Sequence, residues 1–150
     1  SETDERMMVR LLAFAMQATE ALAFGQGLSS EDEPDLWEKD LTGSILSWID
    51  VGLPDERRMR RASGRARSVC VYAYGGRTVD LWWRQVSRNV ERCDYLAVWN
   101  LPLAATQSLS RLASRNMGLQ CTIQEGQVWL GDGENVVQIE PVCLQASRER

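Results

Sequence analysis

A chain of 150 residues, 44% hydrophobic and 25% charged, has the size and balance of a single compact domain, which excludes disordered, collagen-like and solenoid architectures. It contains no histidine, so Ser-His-Asp and Cys-His nucleophile pairs, HExxH zinc sites and imidazole proton shuttles are excluded too. The net charge of −4 conceals a division: residues 1–56 carry 13 acids against Arg6, Arg10 and Lys39, whereas residues 57–92 carry 10 arginines against Asp80 and Glu91.

An acidic block followed by a basic one suits a cation site beside a polyanion-binding surface, and equally suits two oppositely charged faces that only solvate the fold. Lys39 is the sole lysine and lies in no glycine-rich loop, so Schiff-base and P-loop chemistry have no place. Cys70, Cys93, Cys121 and Cys143 form no CxxC, which points to reduced, mostly buried thiols in a cytoplasmic protein. No apolar run approaches the roughly 20 residues that span a bilayer, and no signal-peptide layout is present. Ser1 to Glu5 reads as a helix cap with acids in the first turn, so residues upstream are expected.

Apolar residues Met8, Leu11, Ala15, Ala18 and Leu22 recur at helical steps and predict a helix from Glu2 to about Phe24, stopped by Gly25 and Gly27. Ser29 to Pro34 reads as an acidic loop. Leu36 to Leu41 and Ser44 to Val51 flank Thr42-Gly43 as a hairpin. Pro54-Asp55-Glu56 opens a helix to about Ala66, followed by a strand over Ser68 to Tyr74, a helix over Thr78 to Arg92 and a strand over Tyr95 to Leu101. Such alternation requires crossover connections and hence a partly parallel sheet. A short helix over Pro102 to Asn116 precedes strands at Gly118 to Gln124, Gln127 to Leu130 and Asn135 to Val142, separated by Glu125-Gly126 and Asp132-Gly133. The expected fold class is α/β (α+β): a mixed sheet with flanking helices and a C-terminal antiparallel meander, in one domain spanning residues 1–150.

A two-residue turn at Thr42-Gly43 pairs Leu41 with Ser44, which sets Asp35 opposite Asp50 and Trp37 opposite Trp48, with Asp40 on the other face. Opposed carboxylates repel unless neutralised, and magnesium, bound by one or two carboxylates with phosphate oxygens and water, would do so. The alternative is a frayed strand end with both acids solvated. Arg57, Arg58 and Arg61 follow at helical steps as a cationic stripe able to bind phosphate, or simply a solvated helix face. Trp82-Trp83 reads as core packing rather than a base-stacking platform.

Pro34-Asp35, fourteen residues, then Asp50-Val51-Gly52 resembles the PD-(D/E)XK nuclease signature with glycine in place of its lysine. The runs SETDERMMVRLLAF (1–14), DEPDLWEKDLTG (32–43), WIDVGLPDERR (48–58), LWW (81–83) and MGLQCTIQEGQVWL (117–130) resemble the bacterial YaeQ family along essentially the whole chain. That resemblance implies a variant of the PD-(D/E)XK core without an established activity, and a further segment at the front. By the nuclease pattern, Asp35 and Asp50 would hold magnesium as catalytic acids, joined by a first-helix glutamate, Glu5 or Glu20; Glu5 is preferred because it precedes Val9 and Leu12 by four and seven residues. The missing lysine, and an acid often found in relatives where Leu46 stands, weaken catalysis. The resulting expectation is a non-catalytic or degenerate regulatory module that binds nucleic acid or protein; the alternative is a magnesium-dependent phosphodiesterase.

Overall fold

The computed structural model of the chain describes residues 2–148. Its elements run α1 (Asp4–Gln17), β1 (Ala23–Phe24), a 3-10 turn (Gly27–Ser29), β2 (Leu36–Lys39), β3 (Ile45–Val51), α2 (Glu56–Arg65), β4 (Ala66–Ala73), α3 (Arg77–Val90), β5 (Leu96–Asn100), α4 (Leu103–Ser110), β6 (Gln120–Gln124), β7 (Gln127–Gly131), β8 (Val136–Ile139) and β9 (Val142–Gln145). The main sheet has the order β1-β2-β3-β4-β5-β9. The β3–β4 and β4–β5 pairs are parallel and the others antiparallel, as the helical crossovers require. This is the expected mixed sheet with flanking helices.

Period-two alternation divides the sheet between two cores. Leu36, Ile49 and Val51 face α1, α4 and the second sheet, packing with Met8, Leu12, Leu109 and Leu130. Trp48, Val69, Val71 and Val98 face the opposite way, against Met59 and Ala62 of α2 and Val79, Trp82 and Val86 of α3. Trp82 is buried, its indole donating to the Pro54 carbonyl at 2.7 Å, and Trp83 packs half-buried beside it.

Four expectations need correction. Helix α1 stops at Gln17, before the predicted glycines, because the chain turns back so that Ala23 and Phe24 pair with Trp37 and Leu36 and Phe24 stacks on Phe14. The tail forms the β6-β7-β8 meander, but its last predicted strand is divided at Glu140-Pro141: β8 stays in the meander, while β9 crosses to the main sheet and pairs with β5. The thiols are less buried than expected, with Cys143 exposed.

The hairpin is the fourth case. Asp40 donates its N–H to Ser44 and Lys39 pairs with Ile45, so three residues, not two, turn the chain. A bulge then leaves Leu46 unopposed and restores the register, giving Glu38 opposite Ser47, Trp37 opposite Trp48 and Leu36 opposite Ile49. The Asp40 carboxylate closes the turn, accepting from the N–H groups of Thr42 and Ser44 at 2.9 and 3.0 Å.

Candidate functional site: two closed acids and an open arginine cleft

The corrected register brings Asp35 beside Asp50, its N–H donating to Asp50 Oδ1 at 3.3 Å, but the two carboxylates do not share one face as expected. Both acids are buried, at 0% and 1% exposure. Burial at that level demands a partner for each charge, and each acid finds it in a different helix, on opposite faces of the sheet. From α1, Arg6 donates to Asp35 Oδ1 at 2.6 Å, with Arg10 Nε 3.4 Å from the same oxygen, while the Val51 N–H donates to Oδ2 at 2.8 Å. From α2, Arg58 grips Asp50 with two bonds, Nε to Oδ2 at 2.7 Å and Nη2 to Oδ1 at 3.1 Å, and the Trp48 indole donates to Oδ2 at 3.1 Å. Burial raises the Asp35 carboxyl above its usual range, opposed by the Val51 N–H and then by Arg6.

Arg58 does more than neutralise Asp50. Nη2 is shared with the carbonyls of Gly27 at 3.2 Å and Glu33 at 2.8 Å, and Nη1 donates to that of Ser30, fastening the 27–33 loop to α2 and β3. The loop lies close enough to the acids that only glycine fits at position 27: its φ is +76°, and a Cβ there would meet Asp35 Oδ1 at 2.3 Å. Gly52 is also in the left-handed region, at φ +102°, where a Cβ would lie 3.3 Å from Leu28 and 3.5 Å from Arg6 Nη1. A cation therefore does stand beside position 52, but it comes from α1, where Arg6 Nη1 also binds the Val51 carbonyl at 3.0 Å.

Of the residues singled out from sequence, Asp35, Asp50 and Arg58 converge. Glu5 lies on the first turn of α1 with a buried Oε2 that has no hydrogen bond, and among the described residues no three acids or cysteines are grouped to hold a metal ion. Every oxygen of Asp35 and Asp50 already accepts from a donor of the chain, and three arginines stand against the two acids. So arranged, the residues do not fit a magnesium ion, which needs open carboxylate oxygens and negative surroundings. The partners of Asp35 escaped the sequence reading. The available signal was that Arg6 and Arg10, the only bases of the acidic first 38 residues, lie four apart on one helix.

Arg57 and Arg61 point elsewhere. With Arg65 they edge a cleft of about 370 Å³ between α2 and the 27–33 loop, floored by Trp48, Leu53, Pro54 and Ala62. Arg65 stacks over Trp48 at 5.3 Å, and Arg61 lies 3.6 Å from Glu31 and 3.5 Å from Asp32. Arg57 is exposed, and its side chain makes no hydrogen bond or ion pair among the described residues. Such a cleft, cationic at the rim and apolar at the floor, can take an anionic group attached to a flat or apolar body.

Comparison with known proteins accounts for this architecture. The family model described as YaeQ protein matches residues 1–141. The YaeQ protein of Salmonella typhi is 44% identical over 145 residues, which cover 97% of this chain and 80% of that protein; the Escherichia coli K12 protein is 41% identical over the same extent. The crystal structure of YaeQ from Xanthomonas axonopodis pv. citri superposes with a TM-score of 0.93 at 45% identity, covering 97% of this chain and 82% of that one. The Pseudomonas syringae YaeQ structure superposes at 0.92 with 36% identity, covering 99% and 82%. The chain belongs to the YaeQ family.

Proposed function

We infer that this protein is a non-catalytic nucleic-acid-binding module of the cytoplasm, built on a PD-(D/E)XK-type core whose acids serve the fold. The observation that carries the reading is the division of its arginines. Arg6, Arg10 and Arg58 turn toward the two acids, whereas the other nine arginines of residues 57–92 are exposed, most of them on the α2 and α3 layer. Guanidinium groups suit phosphate, and a layer of them supports backbone contacts that are insensitive to base sequence. A nucleic acid is favoured over a protein partner because the exposed arginines continue from α2 onto α3, as a repeated phosphate charge would require. The overall acidity limits non-specific affinity, so contacts are concentrated on this one layer.

The test is fluorescence anisotropy of labelled single-stranded and duplex oligonucleotides over a salt series, with the same mixtures, containing magnesium, examined for cleavage. Binding whose affinity falls with salt, without cleavage, is expected. Magnesium-dependent cleavage abolished by Asp50→Asn would overturn the non-catalytic reading in favour of a phosphodiesterase. An absence of binding at low salt would overturn both.

A further inference from the structure

The cleft between α2 and the 27–33 loop is small, about 370 Å³. Arg58, only 12% exposed, lies in its lining, and its bonds to Asp50 and to the Gly27, Ser30 and Glu33 carbonyls hold the loop wall to α2. A cleft of this size suits a single charged group and the body attached to it, as the end of a strand offers, more than a length of strand. Arg57 and Arg61 stand at the rim, with an apolar floor at Leu53 and Pro54 below. Resting on the α2-face reading above, we propose that the cleft binds the terminal phosphate of a nucleic-acid strand, with Arg57 and Arg61 on the phosphate and the first nucleoside against Leu53 and Pro54.

Charge favours a phosphate monoester over an internal diester. A terminal monoester carries about −1.5 to −2 charges near neutral pH, which matches two arginines, whereas a diester carries one. Arg61 already holds carboxylates at 3.5 and 3.6 Å from the loop side, and those belong to Asp32 and Glu31, which are 77% and 82% exposed. Such exposed pairs are weak and readily exchanged for a more highly charged anion. The loop acids thus occupy the phosphate position in the free protein and leave it when the strand end enters, while Arg58 keeps the loop backbone in place. The same monoester chemistry occurs in free mononucleotides, and the experiment separates the two sources.

One single-stranded sequence is prepared with a 5′-phosphate, a 3′-phosphate or hydroxyls at both ends, and its binding is measured by anisotropy. One phosphorylated end should bind roughly tenfold tighter than the hydroxyl form, the gain from charge-assisted hydrogen bonds. Arg61→Gln should remove that preference, so that phosphorylated and hydroxyl-ended strands bind the variant alike, and the double variant Glu31→Gln, Asp32→Asn should enlarge it. These positions are exposed, and an unchanged denaturation midpoint serves as the folding control. Equal, salt-sensitive affinity for all three oligonucleotides would overturn the terminal-phosphate site and leave the binding reading standing. Binding of none would overturn the reading itself. Competition by a free mononucleotide as strong as by the phosphorylated oligonucleotide would overturn the strand end as the ligand.

Discussion

The inner and outer sides of α2 use one residue type for opposite purposes. Arg58 and Arg57 are neighbours in sequence but point about 100° apart on the helix. Arg58 makes five hydrogen bonds and faces a carboxylate with almost no access to water. Arg61, one turn on, is 46% exposed and meets only solvated acids at the limit of contact. Buried charges depend on their partner, whereas exposed pairs are worth little and exchange easily. The comparison teaches that a run of arginines has no single role, because each is assigned by what faces it across the helix.

The sharpest way to break this comparison is to remove Arg58. Arg58→Met preserves bulk but leaves Asp50 charged, buried and unpaired, and a loss of about 3–5 kcal/mol in denaturant unfolding is expected. A change below about 1 kcal/mol would return Arg58 to the exposed class. Gly52→Ala forces a Cβ at φ +102° against Leu28 and should cost about 1–3 kcal/mol in the same measurement; Gly52→Lys carries the same strain, so it is a poor way to restore a nuclease lysine. A full-stability variant would show that the backbone at 52 relaxes.

A smaller effect is expected from pH, because the influences on Asp35 partly oppose one another. Its folded pKa is raised above the unfolded value, so the charged carboxyl carries a cost at neutral pH that is relieved as pH falls through the raised value and is gone below the unfolded one. Relative to Asp35→Asn, which does not titrate there, the wild type should therefore gain stability on acidification. A relative loss would mean that Arg6 and Arg10 outweigh burial. Asp40 and Asp132 act in the opposite direction in both proteins: their pKa values are lowered by turn hydrogen bonds, and their contribution is lost as pH falls. The smallest effect belongs to the outer side, where Arg57→Gln should stay within about 0.5 kcal/mol of wild type while salt-sensitive oligonucleotide binding weakens.

The hairpin shows how far local reasoning reaches. Assuming a two-residue turn placed Trp37 against Trp48 and Asp35 beside Asp50, and the structure agrees at both places although the turn has three residues. The agreement rests on the bulge at Leu46, which reverses the shift introduced at the turn. Turn chemistry alone could not announce that compensation. What enforced it is the burial of Leu36, Ile49 and Val51 on one face and Trp48 on the other, since a one-residue slip would exchange the faces. The charge of the candidate site was legible as well: two acids near each other, followed by an arginine helix.

The amino-acid sequence by itself determined the order of most elements, the mixed sheet, the proximity of Asp35 to Asp50 and the helical stripe of arginines, because these follow from periodicity, turn residues and capping within a few residues of each position. Only the tertiary structure decided which cation meets which acid. Arg6 and Arg10 reach Asp35 across 29 and 25 residues of sequence, Arg58 gathers carbonyls from a loop 25 to 31 residues before it, and β9 leaves the meander to finish the main sheet. Those pairings depend on where helices on opposite faces of the sheet come to rest, and that is set by the packing of the two cores rather than by any local spacing.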